Sequence, residues 1–137
     1  METYALSIIG ILILCLISLG LALYSGMSKG KAGLLSGPVA DARDENPLYR
    51  IDRVHMNSVE ALAPFAIPAV LAMVAGLDAM LLATLVWLHL IIRIVHAVVY
   101  LRGGEPAKGG KLRTALYVLS GLVTAVLIVV VGWAAVV

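Results

Sequence analysis

The chain has 137 residues, 62% hydrophobic and only 13% charged, with a mean hydropathy of +1.05. Soluble domains carry about half apolar and a quarter charged residues, so this composition calls for lipid as the solvent, and the length leaves room for one domain. The formal net charge of +2 is too small, and the basic residues too dispersed between apolar runs, for a nucleic-acid partner. Cys15 is the single cysteine, which excludes an intramolecular disulfide framework and leaves it a packing or lipid-facing residue.

The first apolar run, about residues 4–25, reads as a mature membrane helix rather than a signal peptide. Glu2 is the only early charge, no basic segment precedes the run, and Thr3 to Tyr24 exceeds an ordinary signal core. About twenty residues at 1.5 Å each cross roughly 30 Å of hydrocarbon. Residues 52–75, 79–101 and 112–136 meet the same requirement, so the expected fold is an all-α membrane protein, one four-transmembrane-helix bundle over residues 1–137. The runs are long and continuous without the alternation of barrel strands, and a helix satisfies its own backbone groups in lipid.

Residues 26–51 read as a polar loop, from Gly26, Gly30, Gly33, Gly37, Pro38 and Pro47 together with Lys29, Lys31, Arg43 and Arg50. Gly76, Leu77 and Asp78 form a tight turn, and the last connection, Arg102 to Lys111, holds Gly103, Gly104, Pro106, Lys108, Gly109 and Gly110. Four spans put both basic connections on one face. The opposite face, with both termini and Asp78, has no Lys or Arg, so the basic loops are expected in the cytoplasm and the termini outside it, across the inner membrane in a bacterial host.

Charges at membrane depth cost about 2.5 to 3.5 kcal/mol each and mark candidate sites. Arg50, Arg53, Asn57 and Glu60 fall within about 80° of one another at 100° per residue, forming one stripe of the second helix. His55 lies on roughly the opposite side, as a structural or inter-subunit hydrogen-bonding residue. His89, Arg93, His96 and Tyr100 share a face of the third helix, and Arg113, Tyr117, Ser120 and Thr124 a face of the fourth. Three such stripes reaching toward the basic side predict a shared polar pocket. The bland readings are snorkelling at helix ends, favoured for Arg102 and Lys111, and an ion-paired seam for Arg53, Asn57 and Glu60. A metal pair at His89 and His96 is disfavoured, because no Cys or carboxylate lies at ligand spacing. Tyr4, Tyr24 and Trp133 read as interfacial belt residues, whereas Trp87 falls inside a span.

The segment Arg50-Ile51-Asp52-Arg53-Val54-His55-Met56-Asn57-Ser58-Val59-Glu60-Ala61-Leu62-Ala63-Pro64 resembles the signature of the MAPEG family, the membrane-associated proteins in eicosanoid and glutathione metabolism. Arg93-Ile94-Val95-His96-Ala97-Val98-Val99-Tyr100 and Arg113-Thr114-Ala115-Leu116-Tyr117 resemble the family's third helix and the start of its fourth. The resemblance implies a homotrimer that binds glutathione between subunits. It implies cofactor contacts at Arg53, Asn57, Glu60, Arg93, Tyr100 and Tyr117, to which Arg50 and His96 on the same stripes are added, and a catalytic, thiolate-stabilising arginine at Arg113. Glu60 would receive the tripeptide's ammonium, and Arg53 and Arg93 its carboxylates. The last connection is longer and richer in Gly than in the family's prostaglandin-synthesising members. Ala61, Leu62 and Ala63 stand where eicosanoid-specific members tend to carry aromatics. The expected activity is therefore a glutathione transferase, with peroxidase activity open, acting on lipophilic electrophiles or lipid hydroperoxides. The alternatives are a non-catalytic lipid-binding or scaffolding member, and a small four-helix transporter, which usually needs a carboxylate that Thr3 to Tyr24 lacks.

Overall fold

A computed structural model describes residues 2–34, 37–103 and 106–136. After a short 3-10 turn at Glu2–Tyr4 come four helices: α1 (Ala5–Lys31), α2 (Pro47–Val74), α3 (Ala79–Arg102) and α4 (Pro106–Ala134). Each is long and apolar enough to cross a membrane, and no strand occurs among the described residues. The four-span, all-α expectation therefore holds. Gly104 and the side chain of Lys108, both counted in the last basic connection, lie outside the described residues.

Three helix ends differ from the expected ones. The segment Gly26–Lys31 continues α1 instead of opening the loop, because Ser25 Oγ and Lys29 Nζ both reach Asp52 Oδ1 on α2, at 3.3 and 2.5 Å. Lys29 Nζ also donates to Gly37 O at 2.9 Å. This tertiary anchor outweighs the weak helix propensity of glycine. α2 opens at Pro47 rather than near Asp52, with Asn46 as its cap accepting from Leu48 N at 3.0 Å. Proline at the first helical position gives up only an orphan donor and presets φ, so it starts a helix as readily as it breaks one. α4 likewise opens at Pro106, six residues before its expected start near 112, so the basic stretch to Lys111 is largely helical. α3 begins as expected, capped by Asp78 Oδ1 accepting from Leu81 N at 2.8 Å.

α3 is the central element, packing against α1, α2 and α4, while α1 also meets α2 and α2 meets α4. Its inward residues Leu82, Val86 and Leu90 join Ile11, Leu14, Phe65, Val123 and Leu127 in the core. Gly10 lets α1 and α3 approach closely, since a Cβ there would lie 2.4 Å from Val86 Cγ1. Leu6, Leu12, Leu16, Leu19 and Leu23 run exposed along the outside of α1, as lipid-facing residues do. Tyr4, expected in the interfacial belt, donates from its hydroxyl to Leu77 O at 2.7 Å, and Trp87 Nε1 donates to Leu6 O at 3.1 Å. Both bonds tie the start of α1 to the end of the bundle opposite the basic loops. Tyr24 and Trp133 are exposed, as belt residues would be.

Candidate functional site

The α1 C-terminus, the α2 N-terminus, the α3 C-terminus and the α4 N-terminus meet at one end of the bundle, and an open cavity of about 440 Å³ lies there. It is lined by Arg53, Asn57 and Glu60 from α2, His96 and Tyr100 from α3, and Gly110, Arg113, Thr114 and Tyr117 from α4. Asp44 of the 32–46 connection completes the wall. Helical periodicity accounts for the convergence. The residues contributed by each helix recur at three- and four-residue steps, so each helix turns one polar face toward a common point.

Arg113 is the most constrained of these groups. Its Nη1 donates to Asp44 Oδ1 at 3.1 Å, its Nη2 donates to Oδ2, and its guanidinium carbon stands 4.6 Å from the centre of the Tyr100 ring. A planar fork on a carboxylate with an aromatic face beneath it is an arrangement that lysine cannot reproduce. The Arg113 hydrogen bond holds the Asp44 carboxyl below its ordinary range, against the opposing effect of partial burial. The connection that carries Asp44 is itself fixed. Arg50 Nη1 donates to Asp44 O at 2.6 Å and to Glu45 O at 3.2 Å, Asn46 Nδ2 donates to Asp41 O at 3.0 Å, and Arg43 pairs with Asp41. The Asp41 carboxyl is held low by that Arg43 hydrogen bond.

The stripes read from the sequence divide in three dimensions. Arg53, Asn57, Glu60, His96, Tyr100, Arg113 and Tyr117 come together on the cavity. Arg50 does not line it: its guanidinium clamps the loop carbonyls and packs against Gly103, where a Cβ would approach Arg50 Cζ to 2.9 Å. Arg93 is 6% exposed and turns into the bundle, donating from Nη2 to Asn57 O at 2.6 Å. In this position it fixes Asn57 on α2 instead of presenting a fork to the cavity. His89 is buried and stacked on Phe65, ring centres 3.8 Å apart. His96 packs edge-on to Tyr100 at 5.7 Å. His55, on the far side of α2, is half-buried and its Nδ1 has no hydrogen-bond partner among the described residues. Asp44 was absent from the sequence-derived candidates, since a lone loop aspartate carries no periodic signal.

Two guanidinium groups, Arg53 and Arg113, and two carboxylates, Asp44 and Glu60, thus face one aromatic-walled cavity at the end of a membrane bundle. The arrangement is that of a polytopic α-helical membrane protein with a mixed-charge pocket suited to a small zwitterionic ligand. The model of the MAPEG family matches residues 4–133, nearly the whole chain, and the chain belongs to that family. No curated protein and no solved structure matches it.

Proposed function

We propose that the protein is a glutathione-dependent membrane transferase or peroxidase that attacks lipophilic electrophiles with a thiolate. The observation that carries this reading is the convergence of Arg53, Asn57, Glu60, Tyr100, Arg113 and Tyr117 on one cavity. Arg53 offers a fork for a carboxylate, Glu60 a partner for an ammonium, and Arg113 a cation for the sulfur. A thiol of pKa near 8.5 is mostly protonated at neutral pH, and a nearby guanidinium favours the nucleophilic thiolate. Arg93 contributes as a positioning residue through Asn57. The exposure of Glu60 and Tyr117 in the single chain supports a homotrimer in which a neighbour closes the site, with the basic connections on the cytoplasmic side.

The test is thiolate absorbance of glutathione bound to detergent-purified protein, followed by turnover of a chromogenic electrophile with and without a lipid hydroperoxide. Absence of both signals removes the reading. One observation favours the non-catalytic alternative: Asp44 already satisfies Arg113. Glutathione binding without turnover would decide for it.

A further inference from the structure

A small chamber of about 10 Å³ lies where α1, α2 and α3 meet, and no residue of its wall lines the main cavity. Leu14, Ile17 and Leu21 of α1 cover it with apolar surface, while Ser58 of α2 and His89 and Arg93 of α3 bring polar groups to it. At 1.5 Å per residue, Arg93 stands roughly 14 Å from the Arg102 end of α3 and roughly 21 Å from Ala79, well inside the span. A guanidinium at that depth needs compensation.

The compensation on the page is incomplete. Arg93 uses Nη2 on Asn57 O, but its Nη1 is buried without a hydrogen-bond partner, and the side chain makes no ion pair, among the described residues. His89, 1% exposed, likewise holds Nδ1 without a partner among the described residues. A buried polar group left unpaired is costly, more so when charged. Two such groups, four residues apart on one helix face and at the wall of one chamber, call for a common partner. Volume selects it: about 10 Å³ is room for a single water, and a carboxylate or phosphate is too large. Water also fits chemically. A guanidinium only donates, so the partner must accept; the same water can donate to the imidazole nitrogen or accept from it, and the Ser58 hydroxyl offers a third neighbour.

We infer that this chamber binds one ordered water that bridges Arg93 Nη1 and His89 Nδ1, which makes His89 a positioning residue for Asn57 by way of Arg93. The guanidinium is then held through both terminal nitrogens, by Asn57 O on one and by the water on the other. Asn57 lines the main cavity and His89 does not, so His89 acts on that cavity at one remove. The water stands on the chamber alone, whereas its effect on glutathione rests on the function proposed above.

A crystal structure of the unaltered protein, at a resolution that shows ordered waters, tests the site directly. A single density peak is expected within about 2.7 to 3.2 Å of both nitrogens. No peak there, or a peak that a bromide soak turns into an anomalous signal, overturns the water. Two substitutions then separate bridging from packing. His89→Phe keeps the stack on Phe65 and removes the nitrogen, whereas His89→Asn loses the stack and keeps a polar atom near the Nδ1 position. Bridging predicts that the Phe variant loses the density and binds glutathione about three- to tenfold more weakly by isothermal titration, the worth of about one hydrogen bond. The Asn variant should restore both toward the unaltered values. A Phe variant that binds as tightly as the unaltered protein while the Asn variant does not is the order packing alone predicts, and it overturns the bridge. If the unaltered protein binds no glutathione, the function proposed above falls and the density alone decides the water.

Discussion

Arg113 on α4 and Asp44 on the connection before α2 are joined by two hydrogen bonds across 69 residues of sequence. On the proposed function a thiolate would compete with this carboxylate for the one cation. Asp44→Asn should raise the thiolate fraction of bound glutathione at neutral pH and tighten binding about three- to tenfold. That is ~1 kcal/mol, the scale of a partly exposed ion pair. Titration of the thiolate absorbance reads it. Unchanged or weaker binding would make Asp44 a support for Arg113 instead of a competitor.

Arg113 itself should govern chemistry more than affinity. Arg113→Leu is expected to keep glutathione affinity within several-fold, because Arg53, Asn57 and Glu60 still line the cavity. It should abolish the thiolate absorbance and slow turnover about 10- to 1000-fold, each tenfold corresponding to about 1.4 kcal/mol. Arg113→Lys should retain part of both signals, since the charge stays and the fork over Tyr100 is lost. A Leu variant that keeps the thiolate and the rate would send the search for the activating cation elsewhere.

Glu60→Gln should weaken glutathione binding by about 1.5 to 3 kcal/mol, the range for a hydrogen bond to a charged group, with the exposure of Glu60 setting it toward the lower end. Isothermal titration measures the loss. If the variant instead fails to assemble while the remaining folded protein binds normally, Glu60 belongs to an inter-subunit seam.

The loop should loosen in acid. The native contact with Arg113 depresses the Asp44 carboxyl, so its stabilising contribution is full above the ordinary carboxylate range and disappears as pH falls through the depressed native value. A spin label at Ala42, on the exposed part of that loop, should be immobile at neutral pH and gain mobility below about pH 4. In the Asp44→Asn background its mobility should be high throughout. A label that stays immobile in acid would show that the Arg50 and Asn46 bonds suffice.

Sidedness and assembly can be read together. In a Cys15→Ser background, cysteine at Ala42 should resist membrane-impermeant labelling of intact cells, and cysteine at Val136 should accept it. Mass determination in detergent should give three copies. A stable monomer that binds glutathione would remove the inter-subunit site.

The helix count, the turn capped by Asp78 and most of the cavity lining are legible in the sequence, because they depend on hydrophobic run length and on three- and four-residue spacing. Arg53, Asn57 and Glu60 are close in sequence, on one helix, and their common face follows from geometry alone. Arg50 shares their stripe yet faces away, because it lies within the first turn of α2, where loop carbonyls are nearer than the cavity. Asp44 was beyond reach: its partner is set by how the loop folds back over α4, which no local pattern encodes. Pro47 and Pro106 look like loop residues until their place at helix starts is known.

The pair between half-buried Lys29 and buried Asp52 bears on how the first two helices hold together. Lys29 emerges from the ribosome first, at the end of a strongly apolar helix, and its counter-charge follows in the next one. In the folded chain α1 and α2 pack together with the ion pair formed between them. The lysine thereby ties the end of α1 to the second helix. Removing Lys29 by itself would leave the Asp52 carboxylate between helices without its cation, whereas exchanging both for apolar residues of similar volume would be close to neutral for stability.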